Sequence, residues 1–207
     1  MAKVIPIGQP VNESERQAIG FLRDHLPEGW LIFHNFEMRK EQEVFEIDIA
    51  ILTPHAVYLV DVKGTQGNID VYGSKWYPEG RQPFFSPLAK LRSHAKTMAT
   101  IIRESNTGQL ELRKAHVHAA VLLTADNAAI FDHNPSHIQD KPDVTDFKHC
   151  LKYFRDKSRI PSNRLDNIAR FHKQIAQAIQ GKAKPKSAAL VFRDWQVEEK
   201  LGGTDRY

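Results

Sequence analysis

The sequence predicts an α/β fold. Three observations carry that expectation: a helix-period stripe over 12–26, two β-rich runs over 45–52 and 57–63 joined by Thr53-Pro54-His55-Ala56, and a second helix-period stretch over 88–104 followed by an alternating run over 116–124.

The first helix has its own start and stop signals. Asn12 is a good N-cap, Glu13 and Glu15 fall in the first turn, and Glu15 stands at the capping-box position. Ala18, Ile19, Leu22 and Leu26 form the apolar stripe, and Pro27 and Gly29 end it. A strand is expected over 30–36, ahead of the two β-rich runs. A short strand over 68–72 follows Gly67, and Gly73 leads to a partner strand around Trp76. Residues 83–87 read as a loop. The helix over 88–104 aligns Leu88, Leu91, Ala95, Met98, Ile101 and Ile102 on one side. In 116–124, Val117, Ala119, Val121 and Leu123 alternate with the rest. Residues 131–144 are polar and read as a loop with room for a short strand; 146–157 and 163–180 read as helices. The expected division is a domain over 1–181, a basic linker over 182–188 and a separate piece over 189–207, with no internal repeat.

With 207 residues, the chain is long enough to bury a core and carry an appendage. No apolar run approaches the roughly 18 residues of a membrane span, and the first ten residues do not read as a signal peptide. A single cysteine, Cys150, excludes an intramolecular disulfide framework and makes a reducing, cytoplasmic setting the default. Charge is unevenly spread. Residues 1–80 hold 7 Lys+Arg against 12 Asp+Glu, and residues 81–207 hold 22 against 13. An acidic half suits cations and a basic half suits phosphates, although solvated faces alone would give the same counts.

The hairpin carries the chemistry. Residues two apart on a strand share a face, so Ile47, Ile49 and Ile51 point one way and Glu46, Asp48 and Ala50 the other. In the next strand Tyr58, Val60 and Val62 share one face, and Leu59, Asp61 and Lys63 the opposite one. If the four-residue loop pairs Leu52 with Val57, then Asp48 lies opposite Asp61 and Glu46 opposite Lys63. Two carboxylates so placed stand about 4.5–5.5 Å apart and repel unless a cation sits between them. Mg²⁺ is typically held by one or two carboxylates plus water and phosphate oxygens. Lys63 would neutralise charge on a phosphate or orient the attacking water. The alternative is an ordinary Asp61–Lys63 charge pair on a wet face. Glu15 shares the buried stripe of its helix and would reach the sheet as a third acid, or it only caps the helix. Glu13 and Glu46 are lesser acids nearby.

On these residues the chain resembles the NERD (nuclease-related) domain, a branch of the PD-(D/E)xK nuclease superfamily. The motifs are Ser14-Glu15 opening a helix, Glu46-Ile47-Asp48 in a strand and Val60-Asp61-Val62-Lys63-Gly64, with Gly67-Asn68-Ile69 and Trp76 behind them. The resemblance spans roughly 12–130. It implies a restriction-endonuclease-like core, a mixed central sheet flanked by helices, and metal-dependent phosphodiester hydrolysis. Carried over, Glu15, Asp48, Asp61 and Lys63 are the catalytic positions, with Asp48 and Asp61 holding Mg²⁺ or Mn²⁺. The family often opens its later helix with Asn-Pro and then a Gln. Here Ser86-Pro87 opens it and Lys90 takes the Gln position, as a nucleic-acid contact.

A second resemblance lies in 192–207, similar to the first strand and glycine-rich loop of a protein kinase. It implies a truncated NERD–kinase layout of the anti-phage-defence kind. No strand lysine, catalytic loop or metal-binding Asp-Phe-Gly follows, so these residues perform no kinase chemistry. Lesser signals have plain readings. His133 and His137 flank Pro135 in a loop, His116 and His118 share a strand face, and Cys150 packs. Lys148, Lys152, Arg155, Lys157 and Arg159 either bind phosphates or form a wet helix face. The expected function is a metal-dependent nuclease acting on DNA, with RNA left open as a substrate and other defence-system proteins as candidate partners. The alternatives are a non-cleaving sensor that regulates an attached kinase, and an interaction scaffold.

Overall fold

The computed structural model describes residues 1–40 and 43–186. In chain order the elements are β1 (Lys3–Pro6), α1 (Glu13–His25), β2 (Leu31–Lys40), β3 (Glu43–Leu52), β4 (Val57–Lys63), β5 (Asn68–Tyr72), β6 (Lys75–Pro78), β7 (Phe84–Phe85), α2 (Pro87–Glu104), β8 (Val117–Leu123), β9 (Ala129–Asp132), β10 (Val144–Asp146), α3 (Cys150–Arg155), α4 (His172–Lys182) and β11 (Ala183–Pro185). The expected α/β architecture forms. A seven-stranded sheet runs β1-β2-β3-β4-β8-β10, with β11 also on β2; a smaller sheet runs β7-β6-β5-β9. The large sheet is mixed: β1 on β2, β8 on β4 and β10 on β8 are parallel, and β2, β3, β4 and β11 pair antiparallel.

Helices cover both faces. Leu22, Ile51, Tyr58, Val60 and Phe154 belong to the layer under α1 and α3. Phe33, Leu59, Trp76, Leu88, Met98 and Ile175 belong to the layer under α2, α4 and the inner face of the small sheet. Burying such a side chain stabilises by about 1.5–3 kcal/mol, so two filled layers fix the sheet from both sides. The outer face of the small sheet exposes Tyr72, Tyr77, Phe85 and Phe131. No helix among the described residues is long and apolar enough to cross a membrane.

Local chemistry sets the helix starts. The Asn12 side chain accepts from Glu15 N–H at 2.9 Å, and Ser86 Oγ accepts from Leu88 N–H at 3.2 Å, with Pro87 in the first turn of α2. Four expectations shift. The strand expected over 30–36 runs on to Lys40, beside β3. The helix expected over 163–180 begins as α4 only at His172, because Leu165 N–H and Ile168 N–H donate to the distant carbonyls of Lys114 and Pro54. The helix expected over 146–157 shrinks to α3, since Val144–Asp146 pair with β8. The start of the expected basic linker, up to Lys186, is the end of α4 followed by an edge strand. The kinase-like segment lies outside the described residues.

One strand expectation is overturned. Ile49 and Ile51 face the α1 side with Tyr58, Val60 and Val62, but Ile47 and Phe45 face the α2 side. The strand β2 inverts at the same level, with Phe33 and Phe36 in one layer despite opposite parity. Between the pairs His34–Ile49 and Phe36–Ile47 stands Asn35, with φ of 54°. A left-handed residue breaks the two-residue alternation, and Asn tolerates that conformation better than most.

Candidate active site

Strand β4 is central and nearly closed to solvent. Its two partly exposed positions are Asp61 and Lys63. Lys63 Nζ lies 2.7 Å from Asp61 Oδ2. That oxygen is enclosed by protein, and its close partner is the Lys63 ammonium, set at a poor hydrogen-bond angle.

The hairpin register is the expected one: Leu52 pairs with Val57, Ile51 with Tyr58, Ala50 with Leu59 and Ile49 with Val60. The ladder stops there. Asp48 and Asp61 are not a cross-strand pair, because β3 inverts at Asp48 and its Oδ2 accepts the Val62 N–H at 2.9 Å. Asp48 thus takes the place of a backbone carbonyl in holding the end of β4. Glu46 pairs across to Glu37 on β2, not to Lys63.

Glu15 is 4 % exposed and reaches the sheet from α1. Its Oε2 accepts from Val11 N–H at 2.8 Å and from the Asn35 side-chain amide, and its Oε1 accepts from Asn12 Nδ2 at 3.1 Å. Capping and contact with the sheet are therefore one arrangement, and Glu15 fixes the left-handed Asn35. Gly64, directly after Lys63, lets α1 come this close: a Cβ there would collide with Ser14 Oγ.

A residue that sequence reasoning placed in a linker completes the group. Lys186, at the end of β11, puts Nζ 2.6 Å from Asp48 Oδ1, with its side chain 11 % exposed. The strands β1 and β11 share the edge of β2, β1 along Leu31–His34 and β11 along Phe36–Met38. Asn35, between them, receives the Lys186 N–H at 3.4 Å. The sequence signal was its run of lysines, but nothing local says which one turns inward.

Charges in this cluster are strongly linked. Burial pushes the Asp61 carboxyl above its ordinary range; the Lys63 ammonium pulls it back and the Asp48 carboxylate pushes it further up. Burial pulls the Lys186 ammonium down, but Asp48, then Glu15 and Glu46, more than reverse this and hold it above its ordinary value. The donor set suits a hard cation that keeps part of its water. Asp48 and Asp61 supply two carboxylates, and Asp61 Oδ2 is buried without a well-directed hydrogen bond. No group of three His, Cys, Asp or Glu side chains poised to hold a metal exists among the described residues, so an all-protein cage does not form.

Lys90 is exposed on α2, and the neighbour it influences is His94, whose pKa is lowered chiefly by burial and then by Lys90. No described contact joins it to Asp48, Asp61 or Lys63. His133 pairs with Asp70 at 2.7 Å and stacks on Tyr72. His118 bonds Asp143 and Tyr153, and burial lowers the neighbouring His116 to about 4. Both line a cavity of about 360 Å³ between α2 and β8 that contains none of the acidic-site residues. Cys150 is buried, which raises its thiol to about 12 and makes it unreactive.

A mixed sheet between helix layers, with an Asp-x-Lys at the end of a central strand and a second Asp beside it, defines a nuclease-like core. The family model of the nuclease-related domain, NERD, matches residues 10–124, and the chain belongs to that family. The match includes Glu15, Asp48, Asp61, Lys63 and Lys90 and leaves Lys186 outside it. Neither a curated protein nor a solved structure matches the chain. The comparisons give no support to a kinase domain or a defence association.

Proposed function

We propose that the chain is a metal-dependent nuclease that hydrolyses phosphodiester bonds in DNA. The observation that carries this reading is Asp61–Lys63 at the open end of a buried strand, next to Asp48, with one Asp61 oxygen enclosed and unsatisfied. Asp48 and Asp61 would hold Mg²⁺ or Mn²⁺, which when bound supplies charge neutralisation at the phosphate and an activated water. Lys63 lies beside Asp61, where it would stabilise negative charge developing on a phosphoryl oxygen. Glu15 positions Asn35 and, through it, the inversion that turns Asp48 toward β4. Exposed Tyr72, Tyr77, Phe85 and Phe131 on the small sheet offer surfaces on which bases stack, which suits a polymer substrate.

The test is cleavage of supercoiled plasmid and of single-stranded DNA in Mg²⁺, Mn²⁺ or EDTA, with Asp61→Ala and Lys63→Ala beside the wild type. Metal-dependent nicking lost in both variants supports the reading. Undiminished cleavage by a protein that carries both substitutions together overturns it.

A second reading is a non-cleaving binding module for nucleic acid or protein. Lys63 on Asp61 and Lys186 on Asp48 favour it, because these two carboxylates are charge-balanced without a metal. Salt-sensitive DNA binding in EDTA, with no cleavage under any condition, would select it. A link to a kinase, in either reading, rests on the sequence of 189–207 alone.

A further inference from the structure

We infer that Lys186 is an internal counter-ion that competes with a divalent cation for Asp48, so that filling the site releases β11. This rests on the metal-dependent reading above and adds the regulation of that site. Asp48 has two oxygens. Oδ2 is committed to the Val62 N–H at 2.9 Å and holds β4 in place. Oδ1 is the oxygen left for a ligand, and Lys186 Nζ is 2.6 Å from it. An ammonium and a dication sharing one carboxylate oxygen repel each other. The Lys186 and Asp48 side chains are only 11 % and 16 % exposed, so water screens that repulsion poorly. The two cations therefore exclude each other at Oδ1.

The attachment of Lys186 suits it to leave. It follows a strand of three residues that pairs with β2 at Ala183–Met38, Lys184–Glu37 and Pro185–Phe36. Only alternate residues of an antiparallel strand bond to the partner strand, so three residues anchor it through few backbone hydrogen bonds. The Lys186 N–H reaches Asn35 O at a long 3.4 Å. Glu15 and Glu46 add to the negative potential around the ammonium, so the site keeps its demand for a cation once Lys186 has gone. Binding and release are reciprocal: what loosens β11 raises affinity for the cation, and the cation loosens β11 to the same degree.

The test uses the full chain and Mn²⁺ alone. Calorimetric titration of the wild type, Lys186→Met and Lys184→Met compares the inward lysine with an exposed one on the same strand. Lys186→Met should bind Mn²⁺ roughly tenfold tighter or more, and Lys184→Met should stay close to the wild type. In the wild type, saturating Mn²⁺ should also raise amide hydrogen exchange over 183–186, a measurement that decides the matter even if the variant folds poorly. Measurable Mn²⁺ binding with equal or weaker affinity in Lys186→Met, or exchange unchanged at saturation, overturns the competition and leaves the metal-dependent reading intact. No Mn²⁺ binding by wild type or variant overturns both.

Discussion

Lys63 Nζ approaches Asp61 Oδ2 to 2.7 Å, yet that oxygen, enclosed by protein, has no hydrogen bond. A buried carboxylate satisfied only in part destabilises the fold that contains it. Site residues of enzymes often cost stability in this way.

The first prediction follows from that cost. Burial, partly offset by Lys63 and reinforced by Asp48, holds the Asp61 carboxyl above its ordinary pKa. The folded state therefore carries a penalty wherever Asp61 is ionised. Asp61→Asn should raise the melting temperature at pH 7. The gain should fade as pH falls toward the ordinary carboxylate pKa of about 3.9, below which Asp61 is protonated in both states. Each kcal/mol corresponds to about 2–4 °C in a chain of this size. Calorimetric melts at pH 7 and pH 3.5 check this. A variant less stable than the wild type at pH 7 would show that Asp61 contributes more through Lys63 than it loses through burial.

A second prediction concerns Gly64. A Cβ there would meet Ser14 Oγ in direct overlap and Ser14 Cβ at 3.3 Å. Gly64→Ala should cost about 1–3 kcal/mol, the usual range for overpacking. Ser14→Gly should return part of that loss when combined with it, because it removes the colliding atoms. Urea unfolding of the two single variants and the double variant gives the coupling directly. Additive losses would mean that α1 does not meet β4 at this point.

The Asp143 carboxylate supports a third prediction. Burial pushes it up, but hydrogen bonds from His118 and Arg92, and their charges, more than reverse that and leave it below its ordinary range. His118 Nε2 is 3.1 Å from one oxygen and Arg92 donates to the other at 2.7 Å. A lowered pKa contributes stability above the unfolded value and loses it as pH falls through the folded one. Asp143→Asn should cost about 1.5–3 kcal/mol at pH 7, the range for hydrogen bonds to a charged group, and its deficit should shrink in acid. Urea midpoints at pH 7 and pH 3 test this; a deficit equal at both would assign the loss to packing.

The sequence was most legible where one strong local rule acted. Asn12 and Ser86 mark the helix starts because their side chains satisfy end amides. The hairpin register followed from the loop and the apolar faces of Ile49, Ile51, Tyr58 and Val60. Asp61 and Lys63 stood out because they interrupt an otherwise buried strand. What escaped depends on distant partners. Residues 3–6 and 183–185 are strands because the edge of β2 is there to pair with, not because of their own periodicity. Leu165 and Ile168 leave a helical pattern because the carbonyls of Lys114 and Pro54 take their N–H groups. Lys186 enters the site only because β11 ends beside Asn35. The face inversion escaped because Asn35 reads locally as a strand residue, and its φ of 54° has no signature without Glu15.

That inversion supplies the last prediction. Asn35 meets two requirements: a residue that accepts the left-handed conformation, and a side-chain amide that donates to Glu15. Asn35→Gly keeps the first and loses the second. Asn35→Ala loses both, and a left-handed alanine costs about 1–2 kcal/mol. The alanine variant should be the less stable of the two by about 1 kcal/mol in urea unfolding, although glycine is the poorer strand former elsewhere. Both variants take a donor from the buried Glu15 carboxylate, so both should fall below the wild type. A glycine variant no more stable than the alanine one would mean that β2 relaxes away from the left-handed turn. Ile47 and Ile49 would then return to one face, and Asp48 would lose the geometry that lets it hold the Val62 N–H.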